Sequence, residues 1–180
     1  MKNHLQALYD EHLVIVNAVD AGRQLRVLAA TDPERYERLF RKLLTFFRQY
    51  ADTIHHGKEE AILFPEMNKR NELLGDGVLK EMFDNHELFR DLTRAIEQSL
   101  DARNVMGAAG YFEQYAEALL DHIAVENDEV FQMAGTLFGE EELERMAFRF
   151  EDVDREAGAG KKEELARMMD ELRRELLVSE

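Results

Sequence analysis

His55-His56-Gly57-Lys58-Glu59-Glu60-Ala61-Ile62-Leu63-Phe64-Pro65 is echoed further along the chain by His122-Ile123-Ala124-Val125-Glu126-Asn127-Asp128-Glu129-Val130-Phe131. Superposing the two stretches places His55 on His122 and Glu59 on Glu126, with an aromatic five residues beyond each glutamate (Phe64, Phe131). Positions i and i+4 share one face of a helix. Each stretch therefore aims one imidazole and one carboxylate at the same point, which is how a helix presents metal ligands.

The surrounding periodicity is helical. Leu5, Leu8, His12, Ile15, Val16 and Val19 mark a first helix from about Asn3 to Ala30. Thr31-Asp32-Pro33-Glu34 reads as a cap followed by a proline in the first turn. A second helix carries Phe40, Leu43, Leu44, Phe47, Ala51, Ile54, His55, Glu59 and Ile62, strained or kinked by Gly57 and Pro65. A Gly75-Asp76-Gly77 loop leads to a third helix through Leu79, Met82, Phe83, His86, Phe89, Thr93, Ile96 and Leu100. Asn104 to Gly110 reads as a loose joint, after which Phe112, Tyr115, Leu119, His122, Glu126, Val130 and Met133 mark the fourth helix. No segment alternates with a period of two, so no sheet is expected.

The predicted fold is all-α: an antiparallel up-and-down four-helix bundle with additional C-terminal helices. The bundle is assigned to residues 1–136. Gly135 to Gly139 then separates it from a helical extension, 137–180, with two amphipathic patterns (Leu143-Met146-Ala147-Phe150 and Leu165-Met168-Met169-Leu172-Leu176) divided by Gly158-Ala159-Gly160. This extension is expected to pack on its own bundle in preference to a protein partner or a second subunit in a homodimer.

Composition narrows the functions. A formal charge of −15 argues against nucleic acid or an anionic membrane as partner. With no cysteine, thiolate zinc sites, disulfides and cysteine-ligated clusters are excluded. The sequence has no apolar leader and no long charge-free apolar run, a pattern expected of a cytoplasmic protein.

His12, His55, His86 and His122, with Glu59 and Glu126, occupy places where the periodicity expects apolar residues. Two buried, unpaired carboxylates would be expensive, and no lysine or arginine is placed on those stripes to balance them. A cation balances them. Six mixed nitrogen and oxygen donors are too many for one tetrahedral zinc, and they suit two first-row metals with both carboxylates bridging. Glu-x-x-His, the ferritin-type spacing, is absent: Tyr9, Asp52, Phe83 and Leu119 stand three residues before these histidines. His56, about 100° around the helix from His55, is read as a surface or supporting residue. Glu60, Asp128 and Glu129 are read as solvated, with the option that one hydrogen-bonds a ligand imidazole.

On Asp10-Glu11-His12, His55-x-x-x-Glu59 with Ile62-Leu63-Phe64-Pro65, Asn85-His86-Glu87, and His122-x-x-x-Glu126 with Val130-Phe131, the sequence resembles the hemerythrin-like, HHE cation-binding family over about Leu5 to Met133. The resemblance implies two iron ions in an oxo- or hydroxo-bridged non-haem centre, replaceable by manganese or zinc. It implies terminal ligation by His12, His55, His86 and His122 and bridging by Glu59 and Glu126. Oxygen-carrying members place a second histidine four residues after the third-helix ligand, where this chain has Arg90. They place an aspartate five residues after the fourth-helix histidine, where Asn127 stands here and Glu126 takes the role. One imidazole is thus missing, or comes from His56. Binding or sensing of a diatomic ligand (oxygen or nitric oxide) is the leading expectation. A di-iron enzyme (peroxidase, oxidase or nitric oxide reductase) or a protein repairing iron–sulfur clusters is the second, and iron storage or delivery the third.

Overall fold

Asp32 ends one helix and begins the next. Its carboxylate accepts a hydrogen bond from the Arg35 backbone N–H at 3.1 Å, and Pro33, whose missing N–H costs nothing in a first turn, follows it. In the computed structural model, which describes residues 4–177, helix α1 (Gln6–Thr31) thus passes into α2 (Pro33–Phe46) through a single residue. The expected start at Asn3 lies outside the described residues.

From Pro33 the chain stays helical to Arg70. α2 leads into π-helical turns at Phe47–His56 and Glu59–Leu63, then into α3 (Phe64–Arg70). α4 (Val78–Asp101) is the third rod. α5 (Val105–Val125), a π turn at Glu126–Val130 and α6 (Phe131–Leu137) make the fourth. α7 (Glu140–Glu156) and α8 (Lys161–Leu177) complete six helical rods, and no strand occurs among the described residues.

Cross-contacts establish the antiparallel ring. His12 meets His55 while Gly22 approaches Leu43. Glu60 meets His86 while Arg48 meets Glu97. His86 meets His122 while Phe89 packs on Tyr115. Asn127 meets His12 while Glu113 meets Arg23, which closes the ring.

The core is divided. Leu5, Leu8, Ile62, Leu63, Phe64, Leu79, Met82, Val130 and Phe131 belong to one apolar cluster, and Ile15, Ile54, Phe89, Leu92 and Leu119 to the other. Each rod crosses from one to the other through polar residues: Glu11 and His12, then His55, His56 and Glu59, then His86, then His122 and Glu126. The C-terminal helices cover both halves. Met146 and Phe150 of α7 join the first cluster, and Leu165, Met169 and Leu172 of α8 join the second, where α8 lies against α1 and α2.

Two expected boundaries shift. Asn104 accepts from the Gly107 backbone N–H at 2.9 Å, so α5 begins at Val105 and Gly107 and Gly110 are helical rather than a loose joint. Gly135 lies inside α6, and the break falls at Phe138-Gly139. The π turns at Phe47–His56, Glu59–Leu63 and Glu126–Val130 depart from the 3.6-residue period on which the sequence expectation rests.

Gly22 lets α1 and α5 close up. A Cβ there would stand 2.3 Å from the Phe112 ring and 2.8 Å from Leu43, and that ring is wedged between Phe40, Phe47 and Tyr115. Gly22→Ala gains helix propensity, worth up to about 1 kcal/mol, but overpacks the interface by roughly 1–3 kcal/mol. A net loss of stability is expected in denaturant unfolding, the reverse of the usual glycine-to-alanine gain inside a helix.

Candidate metal centre

The four bundle rods bring His12, His55, His56, Glu59, His86, His122 and Glu126 to one layer, all buried. The π turns explain why the second rod contributes three of them. A turn closed by i→i+5 bonds is wider than an α turn, so successive side chains diverge less around the axis. His55 and His56 therefore both face inward. His56 was expected on the surface or in support; instead its ring stacks on His86 with centroids 3.8 Å apart.

The donors fall into two groups. Ligand atoms of His12, His55, Glu59 and Glu126 lie within 4.8 Å of one another, and so do those of His56, Glu59, His86 and His122. Both carboxylates span the groups. Glu126 stands 3.2 Å from His12 Nε2 through Oε2 and 3.2 Å from His122 Nε2 through Oε1. Glu59 stands 3.4 Å from His55 Nε2 and 3.6 Å from His86 Nε2 through its two oxygens.

Outside this set, the imidazoles are held from behind. His55 Nδ1 lies 2.9 Å from Glu11, and His86 Nδ1 lies 2.8 Å from Glu60. A carboxylate only accepts, so Nδ1 carries the proton on both rings and each Nε2 presents a lone pair inward. His12 Nδ1 meets the Asn127 side-chain oxygen at 2.8 Å, and Asn85 stands behind His122 at 3.4 Å. Glu60, a quarter exposed, is thus the hydrogen-bond partner of a candidate ligand imidazole, the option that its sequence position leaves open. Arg90, where oxygen carriers would place an imidazole, clamps Glu60 at 2.7 Å and Asp52 at 2.8 Å. Phe131 stacks on His12 and Phe64 on His86, and Phe83, partly exposed, meets Phe64 edge-on. Tyr115 packs on Phe89 beside His122.

The electrostatics call for a cation. All four oxygens of Glu59 and Glu126 are buried and lack a hydrogen-bond partner. Burial, then the charge of Glu126, pushes the Glu59 carboxyl well above its ordinary range. Burial alone would also raise Glu126, but the imidazoles of His122 and His12 hold it low. Lys58, unexpectedly, is fully buried, yet it pairs with Glu11 and Asp154 and leaves both central carboxylates unbalanced. His12 Nε2 and His55 Nε2 are 2.8 Å apart, and His86 Nε2 and His122 Nε2 are 3.1 Å apart. Two nitrogens bound at right angles to one metal at about 2.1 Å would be separated by about 3.0 Å. The residues therefore fit a pair of metal ions.

A model of the hemerythrin HHE cation-binding domain matches residues 3–134. The chain belongs to the hemerythrin HHE family. The HHE match ends just before the C-terminal helices, so the buried histidine–glutamate layer lies wholly within it. Neither a curated protein nor a solved structure matches the chain.

Metal-free protein is expected to lose stability on acidification. Burial, reinforced by His12, lowers the His55 imidazole to about 4; burial also lowers His56 and His86. Below about pH 6.5 the unfolded chain takes up protons that the folded layer refuses, so stability falls with pH toward about 4. Glu59, raised instead of lowered, opposes this, but three imidazoles outnumber one carboxyl. Thermal unfolding of the metal-stripped protein between about pH 7 and pH 5 should show a falling midpoint; a flat or rising one would contradict this electrostatic description.

Proposed function

We propose that this HHE protein holds two iron ions and binds or senses a small diatomic ligand, oxygen or nitric oxide. The observation that carries this reading is the uneven donor set. One position is faced by two imidazoles (His12, His55) and the other by three (His56, His86, His122); Glu59 belongs to both, and Glu126, grouped with the first, also reaches His122 at 3.2 Å. An octahedral metal would keep more open positions on the His12–His55 side. Iron suits the mixed nitrogen and oxygen donors, and manganese or zinc could substitute. A bound iron pair would supply redox capacity and open coordination positions.

The chain's own residues limit what arrives there. A surface depression of about 410 Å³, lined by Tyr9, His12, Val16, Ile123, Asn127 and Gln132, ends at the edge of His12. Tyr9 accepts from Gln132 at 3.1 Å and reaches the Asn127 carbonyl at 3.4 Å across its mouth. Behind it every candidate ligand is buried, which favours a diatomic molecule or peroxide over a larger organic substrate. No helix among the described residues is long and apolar enough to cross a membrane.

The test is to load the protein with iron(II), count metals per chain, and record optical spectra as oxygen, nitric oxide and peroxide are added in turn. Two irons and a spectral change that reverses when the gas is removed are expected. Sustained consumption of peroxide or nitric oxide would replace the binding role with an enzymatic one. Glu59→Ala and Glu126→Ala should each lose iron, and unchanged iron content in both would overturn the site.

A further inference from the structure

A second charged cluster adjoins the metal layer, and its members come partly from the C-terminal helices. Oxygen Oε1 of Glu11 meets the ammonium groups of both Lys58 and Lys162, while Oε2 accepts from His55 Nδ1. Asp154 lies 2.6 Å from Lys58 Nζ and 3.3 Å from Lys162 Nζ. Two carboxylates and two ammoniums balance, with Lys58 and Glu11 buried and the other two partly so. Asp154 lies in the last turn of α7 and Lys162 in the first turn of α8, so both flank the connection that straddles the two halves of the core. Gly158 and Gly160, at φ 122° and 71°, take left-handed conformations that suit glycine and let the chain reverse there.

Covering apolar surface does not require this cluster. Met146 and Phe150 on one side and Leu165, Met169 and Leu172 on the other already anchor the two helices. Burying two charges and half-burying two more is unfavourable unless their geometry is used. What they fix is Glu11, and Glu11 is the acceptor behind His55. An acceptor behind a ligating imidazole sets its tautomer, its ring orientation and its donor strength.

We propose that the C-terminal helices are part of the metal centre: Lys162 and Asp154 are positioning residues that lock Glu11, and through it His55. This rests on the reading of His55 as a metal ligand. It gives residues outside the HHE match a role at the His12–His55 position. A partner that lifted α8 would loosen that position and leave the His86–His122 side in place.

The experiment compares wild type, Lys162→Met and Lys162→Arg in the full chain. In metal-stripped protein, ¹⁵N NMR of labelled histidine reads the His55 Nδ1–H resonance and its exchange with solvent. Lys162→Met should shift that resonance and speed exchange, and Lys162→Arg should restore both. With iron(II) and a competing chelator, Lys162→Met should weaken one of the two positions by up to about 10-fold, the low end for loss of a ligand's own partner because Lys58 still holds Glu11, again with rescue by arginine. A lower unfolding temperature with the His55 resonance and iron affinity both at wild-type values would overturn the proposal and leave α8 as mere covering. If wild type takes up no iron while Lys162→Met still shifts the His55 resonance, the lock on His55 stands and the metal reading falls.

Discussion

Two carboxylates that share no hydrogen bond with anything sit at the centre of this protein. Glu59 and Glu126 arrive from opposite rods of the bundle, and burial together with their mutual charge makes the pair unfavourable on its own. Everything around them is arranged to bring imidazole nitrogens, not ammonium or guanidinium groups, to their oxygens. The apolar core is split to make room, so that each rod changes from one packing cluster to the other at the polar layer.

The charged residues that would ordinarily neutralise buried acids are kept one step back. Arg90 holds Glu60 and Asp52; Lys58 and Lys162 hold Glu11. Glu60 and Glu11 in turn hold His86 and His55 by Nδ1, which leaves Nε2 lone pairs facing inward. Positive charge is thus supplied behind the imidazoles and withheld from the space between them. That division is what a pair of metal ions requires of its protein, because a lysine inside the layer would compete with the cation.

Much of this was legible in the order of residues. The helical period exposed His12, His55, Glu59, His86, His122 and Glu126 as polar residues at apolar positions, and the two matching His-x-x-x-Glu stretches named residues that the fold brings into one buried layer. His56 faces inward, although a 3.6-residue turn places it about 100° away from His55; Gly57 beside it signals distortion of this helix but not its direction. Glu11 stood in a recognised stretch, but its role depends on His55 and on two lysines, one from the end of the chain. Contacts between residues so far apart leave no local pattern. The Asn104 cap was missed for the opposite reason: the glycines after it were read as breakers, although a cap and a close fit of Gly107 under the Asn104 side chain stabilise the turn.

The central claim is that Glu59 and Glu126 are there to be neutralised by metal. It is tested most directly by unfolding wild type and Glu59→Gln at about pH 8, each with and without iron(II). Removing the charge should raise the midpoint of the metal-free protein and abolish the gain that iron(II) gives wild type. A metal-free Glu59→Gln protein that unfolds earlier than wild type, while keeping the full gain from iron(II), would contradict it.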